Sequence, residues 1–250
     1  AFRAADGCQL LAADYSQVEF RILAHMANDQ MMIDAFHAGE DFHTSTAAKI
    51  FNVYPEQVTE EQRRSAKTVN FGVIYGQSKY GLAKQLGISQ EEAEAFIQAF
   101  FSNFPEVAAY LEKTRLEARA KGYVSTLFGR IRQIPEINSP SPMQQQMAER
   151  MAINMPIQGT AADIMKLAMI EVWQAFQIPP PPPFGKKGGI AGGGFARLLL
   201  QVHDEVVVEV PEEQLDEVIA LVTQKMEQVY ELAVPLKVDV KVGKNWGEMG

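Results

Sequence analysis

The chain has 250 residues, 47% of them apolar, which is enough to bury a substantial core in one or two domains. Its 31 acidic and 23 basic side chains give a net charge of −8, which excludes gripping nucleic acid by overall charge and leaves only local basic clusters for that task. No run of about 18 apolar residues is present to span a membrane, and the one cysteine, Cys8, has no partner for an internal disulfide, in keeping with a reducing cytoplasm.

In chain order, CQLLAAD (8–14) is a short apolar run closed by an acid, the pattern of a buried strand. SQVEFRILAHMA follows with Val18, Ile22 and Leu23 at helical spacing, so strand gives way to helix near Ser16. Ser16 with Glu19, Thr59 with Gln62 and Ser89 with Glu92 each match a capping box and mark helix starts. The last of these helices is expected to stop near Pro105, and the next at Gly122. YVSTLFGRIRQIP reads as a small hairpin around Phe128 and Gly129. The long helical stretch 143–176 carries Pro156 as an expected break.

IPPPPPFGKKGGIAGGG (178–194) cannot make a packed element and reads as a flexible surface loop. RLLLQV and EVVVEV then flank His203 and Asp204 as a tight hairpin, and Pro211 opens a helix expected to run to about Ala233. LKVDVKVG alternates, with Val238, Val240 and Val242 on one face. The outline is strands at both ends of the chain with helices inserted between them. Strands near 8–14, 197–210 and 236–242 are expected to share one sheet, which would bring Asp14 within reach of Asp204.

Two constellations carry possible chemistry. Asp14 and Asp204 at adjoining strand ends would cradle hard divalent ions such as magnesium, which favour carboxylate and phosphate oxygens. Taken singly, they fit better as a residue leading into a helix and a turn residue; the next constellation reverses that balance. The second constellation lies in RRSAKTVNFGVIYG (63–76), where Arg63, Lys67, Phe71 and Tyr75 step by four and share one broad helix face. At 1.5 Å per residue, Arg63 to Phe71 spans about 12 Å, roughly a nucleoside triphosphate laid lengthwise. An amphipathic helix with solvated charges and inward aromatics explains the same spacing. Gly72 in mid-helix costs about 1 kcal/mol and points to a close approach to the backbone.

DYSQVEFRILAH, RRSAKTVNFGVIYG and QVHDE, in this order, resemble motifs A, B and C of the family A DNA polymerases, the DNA polymerase I type. INMPIQGTAADIMK adds a fourth match, and the similarity runs from about Phe2 to Trp246 apart from the proline–glycine loop. Phe20 stands where the family more often has leucine. The resemblance implies a mixed α/β (α+β) fold, an antiparallel palm sheet with a helical fingers insertion. Palm would occupy 1–40 and 141–250, with the flexible Pro/Gly loop at 178–194, and fingers 41–140. The chain reads as a fragment, with a thumb and any exonuclease domain expected before Ala1.

The activity implied is template-directed DNA synthesis, adding deoxynucleoside triphosphates to a primer 3′-hydroxyl by two-metal phosphoryl transfer. Asp14, Asp204 and the Tyr15 backbone carbonyl would hold two Mg2+ ions, with Glu205 a supporting acid. Arg63, Lys67 and His43 would hold the triphosphate, and Lys67 would also donate a proton to pyrophosphate. Phe71 and Tyr75 would line the base-pair and sugar pocket, and Glu19 would crowd the sugar 2′ position. Arg150, Asn154 and Gln158, stepping by four, would donate to minor-groove acceptors that every correct base pair presents. His203 would lie against the primer terminus and Tyr15 would stack near the template. Primer–template DNA and deoxynucleoside triphosphates are the expected partners of a monomer that is cytoplasmic, DNA-associated and not membrane-bound. The rivals are a catalytically silent DNA-binding fragment and a single-subunit phage-type RNA polymerase, against which Glu19 in DYSQVE weighs.

Overall fold

A computed structural model describes residues 2–177 and 196–249. The expected flexible loop at 178–194 lies outside the described residues. In chain order come strand β1 (Cys8–Tyr15) and helices α1 (Val18–Ala27), α2 (Gln30–His37), α3 (Phe42–Phe51) and α4 (Glu60–Ile74). Helices α5 (Lys79–Leu86), α6 (Gln90–Asn103) and α7 (Pro105–Lys121) follow, then strands β2 (Tyr123–Ser125) and β3 (Ile131–Gln133). Helix α8 (Pro142–Gln177), strands β4 (Arg197–Val202) and β5 (Glu205–Pro211), helix α9 (Leu215–Glu227) and strand β6 (Val238–Gly243) complete the order.

The chain divides into two compact units. One comprises Ala1–Val18, Ala161–Glu231 and Leu236–Gly250; the other comprises Glu19–Thr160 and Leu232–Pro235. The helical unit is thus larger than the stretch 41–140 expected for the insertion.

The first unit is built on a four-stranded antiparallel sheet in the order β4-β5-β1-β6. The strands expected to share a sheet do so. Leu10, Leu11, Ala12 and Ala13 on β1 and Val206, Val207 and Val208 on β5 are buried on both faces of the sheet, hence the continuous apolar runs. Val218, Val222 and Met226 recur at four-residue spacing on α9 and are fully buried. Each such side chain contributes roughly 1.5–3 kcal/mol of burial. Glu209, buried in β5, is held by the Ala5 N–H at 2.9 Å and by the Arg197 guanidinium.

Two expectations are corrected in this unit. Pro211 does not open a helix: it ends β5, a 3-10 turn (Glu212–Gln214) follows, and α9 begins only at Leu215. That helix stops at Glu227 rather than near Ala233.

The helical unit packs around an aromatic cluster. Phe42 lies 5.7 Å from Phe36, 5.5 Å from Phe104 and 5.1 Å from Phe20 between ring centroids. The capping boxes at Thr59/Gln62 and Ser89/Glu92 start α4 and α6 as expected. Gly122 closes α7 at φ +76°, a conformation glycine adopts without steric cost. The short β2–β3 hairpin forms around Phe128 and Gly129. Pro156 does not break its helix: α8 runs through it for 36 residues. The proline forfeits one helical hydrogen bond, while Thr160 donates to the Pro156 carbonyl and Arg130 to that of Gly159. Gly159 is needed there, because a Cβ would come within 2.6 Å of Thr126 Cγ2. No helix among the described residues is long and apolar enough to cross a membrane.

Candidate functional site

Asp14 is next to last in β1, and Asp204 sits in the two-residue turn between β4 and β5. His203, exposed, takes φ +54° in that turn. The Tyr15 N–H donates to the Asp204 carbonyl at 3.1 Å, pinning the strand end to the turn. Sheet register then does the rest: Glu205 stands across from Asp14 on one side and Asp239 on the other. The Asp204 side chain lies within hydrogen-bonding reach of the Asp14 carboxyl, which is raised from 3.8 to about 6. Burial is the largest cause, followed by the negative charges of Asp204, Glu205 and Asp239. Adjacent acids in an apolar run therefore mark more than a turn; they complete a carboxylate cluster whose other members are Asp14 on β1 and Asp239 on β6.

This donor set suits a hard cation. Magnesium commonly takes one or two carboxylates and completes its shell with water and phosphate oxygens. The described residues contain no group of three or more His, Cys, Asp or Glu side chains that could hold a metal ion. The charges raising Asp14 are all negative, so a bound cation would relieve them.

Within the helical unit, α4 carries Arg63, Lys67 and Phe71, and Tyr75 caps its end. Arg63 is already engaged, its guanidinium donating to both Asp41 oxygens at 3.2 and 2.7 Å. Asp41 also caps α3, accepting from the Thr44 N–H at 2.7 Å. Burial would raise its carboxyl, but the hydrogen bonds from Arg63 and Thr44 prevail and bring it down to about 2. Lys67 is exposed and has no ion-pair partner among the described residues. Phe71 meets Phe20 edge-on at 4.8 Å and lies 5.8 Å from Tyr75. The Tyr75 hydroxyl donates to Glu19, so the two expected sugar-pocket residues are in contact. What approaches Gly72 closely is the chain's own Gln77, whose Oε1 would lie 2.6 Å from a Cβ at that position.

One expected role needs correction. Tyr15 cannot stack on a template in this arrangement: its ring is 2% exposed and its hydroxyl donates to the Met226 carbonyl at 2.7 Å. Burial pushes its phenol upward as well. Burial pushes His43 down to about 4, so any hold it has on a triphosphate would come from a neutral ring at pH 7. It is 3% exposed, 3.0 Å from the Asn70 side chain.

On α8, Arg150 and Gln158 are exposed and Asn154 is half-buried between them. Arg150 donates to the Tyr75 carbonyl at 3.3 Å, and the Asn154 Oδ1 is buried without a partner among the described residues. Sequence reading missed Asp41, Asn70 and Asp239. Asp41 was findable as a helix cap before FHTS. Asn70 and Asp239 gave no signal, since one sits in a helical pattern and the other reads as the polar face of an alternating strand.

A family model described as DNA polymerase family A matches residues 1–248. The chain is 50% identical over 248 residues to the thermostable DNA polymerase I of Thermus filiformis, covering 99% of this chain and 28% of that one. It is 48% identical over 240 residues to DNA polymerase I of Streptococcus pneumoniae, covering 96% of this chain and 26% of that one. Among solved structures, the POL domain of Pol1 from M. smegmatis, in complex with DNA primer-template and dNTP, matches with a TM-score of 0.89 at 43% identity, over 100% of this chain and 42% of that chain. The chain spans 26–28% of the length of these curated relatives. With the match extending over nearly every residue, the chain belongs to DNA polymerase family A.

Proposed function

We propose that this chain performs the nucleotidyl-transfer step of template-directed DNA synthesis. A primer 3′-hydroxyl attacks the α-phosphorus of a deoxynucleoside triphosphate and pyrophosphate leaves. The observation that carries the reading is the convergence of Asp14 and Asp204 at one end of an antiparallel sheet, in a chain of this family. The solved relative with primer-template and dNTP supports the choice of ligands, and the family match weighs against a phage-type RNA polymerase.

Asp14, Asp204 and the Tyr15 backbone carbonyl are proposed to hold two magnesium ions, with Glu205 contributing further negative charge. When bound, such ions supply positive charge for the attacking and leaving oxygens of an in-line displacement. Lys67, exposed and without an ion-pair partner among the described residues, would meet phosphate oxygens and pass its Nζ proton to the departing pyrophosphate. Arg63 would join it by exchanging one anion for another, the Asp41 carboxylate for a phosphate, both of which its planar fork fits. Glu19, held by Tyr75, would exclude a sugar 2′-hydroxyl, and Phe71 would face the sugar. Arg150, Asn154 and Gln158 would donate to minor-groove N3 and O2 atoms, a readout indifferent to sequence. His203 would meet the primer end. A cytoplasmic monomer acting on primer–template DNA completes the reading. Palm and fingers are the labels we propose for the sheet and helical units.

Single-nucleotide extension of a primer–template duplex with magnesium tests this, with duplex binding measured in parallel. Template-matched extension that is lost in Asp14→Ala and Asp204→Ala, with binding retained, is expected. Duplex binding without extension in the unaltered chain would favour the silent-module rival.

A further inference from the structure

Three hydrogen bonds, one within α3 and two between α3 and α4, fix the position of one proton. The Thr46 hydroxyl donates back along α3 to the Phe42 carbonyl at 2.7 Å. A hydroxyl has a single proton, so toward Asn70, 3.2 Å away, the Thr46 oxygen can only accept. The Asn70 atom facing it must then be the NH2 group, which settles the orientation of the carboxamide on chemical grounds. That same NH2 nitrogen stands 3.0 Å from Nδ1 of His43. One of its N–H groups serves Thr46 and the other points at Nδ1, which accepts through its lone pair. A neutral imidazole carries one N–H, so the proton of His43 is on Nε2.

The surroundings agree. His43, Thr46 and Asn70 are all buried, which excludes water as a competing donor to Nδ1. The Asn70 Oδ1 is buried without a hydrogen-bond partner among the described residues, a cost that the two contacts of the NH2 group must offset. Phe20 and Phe71 stand against the imidazole at 5.3 and 5.8 Å. Burial, opposed by Asp41 and reinforced by Arg63 and Lys67, keeps the ring uncharged to about pH 4. Nε2 has no partner among the described residues.

We infer that Asn70 is a positioning residue that locks His43 in its Nε2–H tautomer, so that the ring presents a neutral N–H donor to a phosphate oxygen of the incoming nucleotide. The nucleotide half of this statement rests on the proposed triphosphate role of His43; the tautomer half rests only on the hydrogen-bond chain. The opposite tautomer would turn a lone pair toward a phosphate oxygen and repel it.

The chain has four histidines, so labelling the imidazoles with nitrogen-15 gives few ring signals, and His43→Gln identifies the relevant one. In the nucleotide-free protein at pH 7, Nε2 is expected to be protonated and Nδ1 bare. A proton on Nδ1, or an even mixture, overturns the inference without any variant having to fold. Asn70→Asp replaces the donor by an acceptor and is expected to place a proton on Nδ1; a bare Nδ1 in that variant also overturns it. Asn70→Ala is expected to raise KM for the deoxynucleoside triphosphate roughly tenfold, as for a lost hydrogen bond to a charged group, with kcat nearly unchanged. Adding a deoxynucleoside triphosphate and primer–template, with calcium to prevent turnover, should move the Nε2 signal. An expected tautomer with an unresponsive Nε2 would remove the triphosphate role and leave the lock by Asn70 standing.

Discussion

The carboxylate cluster of the sheet unit and the α4 face of the helical unit treat charge in opposite ways. Around Asp14, burial and three neighbouring acids accumulate negative charge with no cation among the influences on it. Around α4 and the neighbouring α3, charge is largely settled internally: Arg63 is forked onto Asp41 and His43 is neutral, while Lys67 is exposed with no ion-pair partner among the described residues. The first region is electrostatically unfinished and gains from a bound cation. The second must give up existing contacts to take an anion, except at Lys67. A cluster that would gain from a cation and a surface that would have to exchange partners are different physical devices, and substitutions should separate them.

The largest effect is expected at the cluster. Asp14→Asn or Asp204→Asn should cut primer extension by at least roughly a thousandfold, as loss of metal-ion catalysis does. The same substitutions relieve repulsion and should raise unfolding free energy by about 1 kcal/mol in denaturant titrations without divalent ions. A variant both inactive and destabilised would contradict the unfinished-charge account. Next comes Lys67→Ala, expected to lower kcat/KM for nucleotide by roughly a hundredfold, the scale of one charge-assisted contact. Because the side chain is exposed, stability should change by less than about 0.5 kcal/mol.

Stability against pH sharpens the contrast. Asp14 is raised in the folded state, so between pH 3.8 and about 6 the folded chain binds the extra proton and stability falls as pH rises. His43 is lowered from 6.5 to about 4, so over nearly the same window the unfolded chain binds the extra proton and stability rises with pH. The two slopes oppose each other. Asp14→Asn should unmask the rise and His43→Gln the fall, each by up to about 3 kcal/mol and less for half-buried Asp14. Parallel profiles for the two variants would remove the contrast. The smallest effect belongs to Asp41→Asn, which keeps a helix cap but frees Arg63. A loss of at most about 1 kcal/mol is expected, together with a severalfold lower KM for nucleotide if the fork restrains Arg63.

Much of this was legible in the residues alone, and the reasons differ by region. The pairing of β1 with β5 followed from two apolar runs and a two-residue turn, so the meeting of Asp14 and Asp204 was predictable. The caps at Thr59, Ser89 and Gly122 are local chemistry and were read correctly. Pro156 was misread because tertiary burial of the residues around it, Ile153, Met155 and Ile157, outweighs the one helical hydrogen bond a proline forfeits. Pro211 was misread because the first position of a helix and the last of a strand both accept proline, and tertiary pairing with β1 decided for the strand. The engagement of Arg63, the burial of Tyr15 and the neutrality of His43 are tertiary facts that spacing along a helix cannot express.

The central claim is that Asp14 and Asp204 jointly hold the ions that drive phosphoryl transfer. Manganese binding, followed by electron paramagnetic resonance in the presence of a dideoxy-terminated primer–template and matching nucleotide, tests it most directly. The account predicts two bound ions per chain, with Asp14→Asn and Asp204→Asn each losing at least one. Unchanged binding in both variants would contradict it.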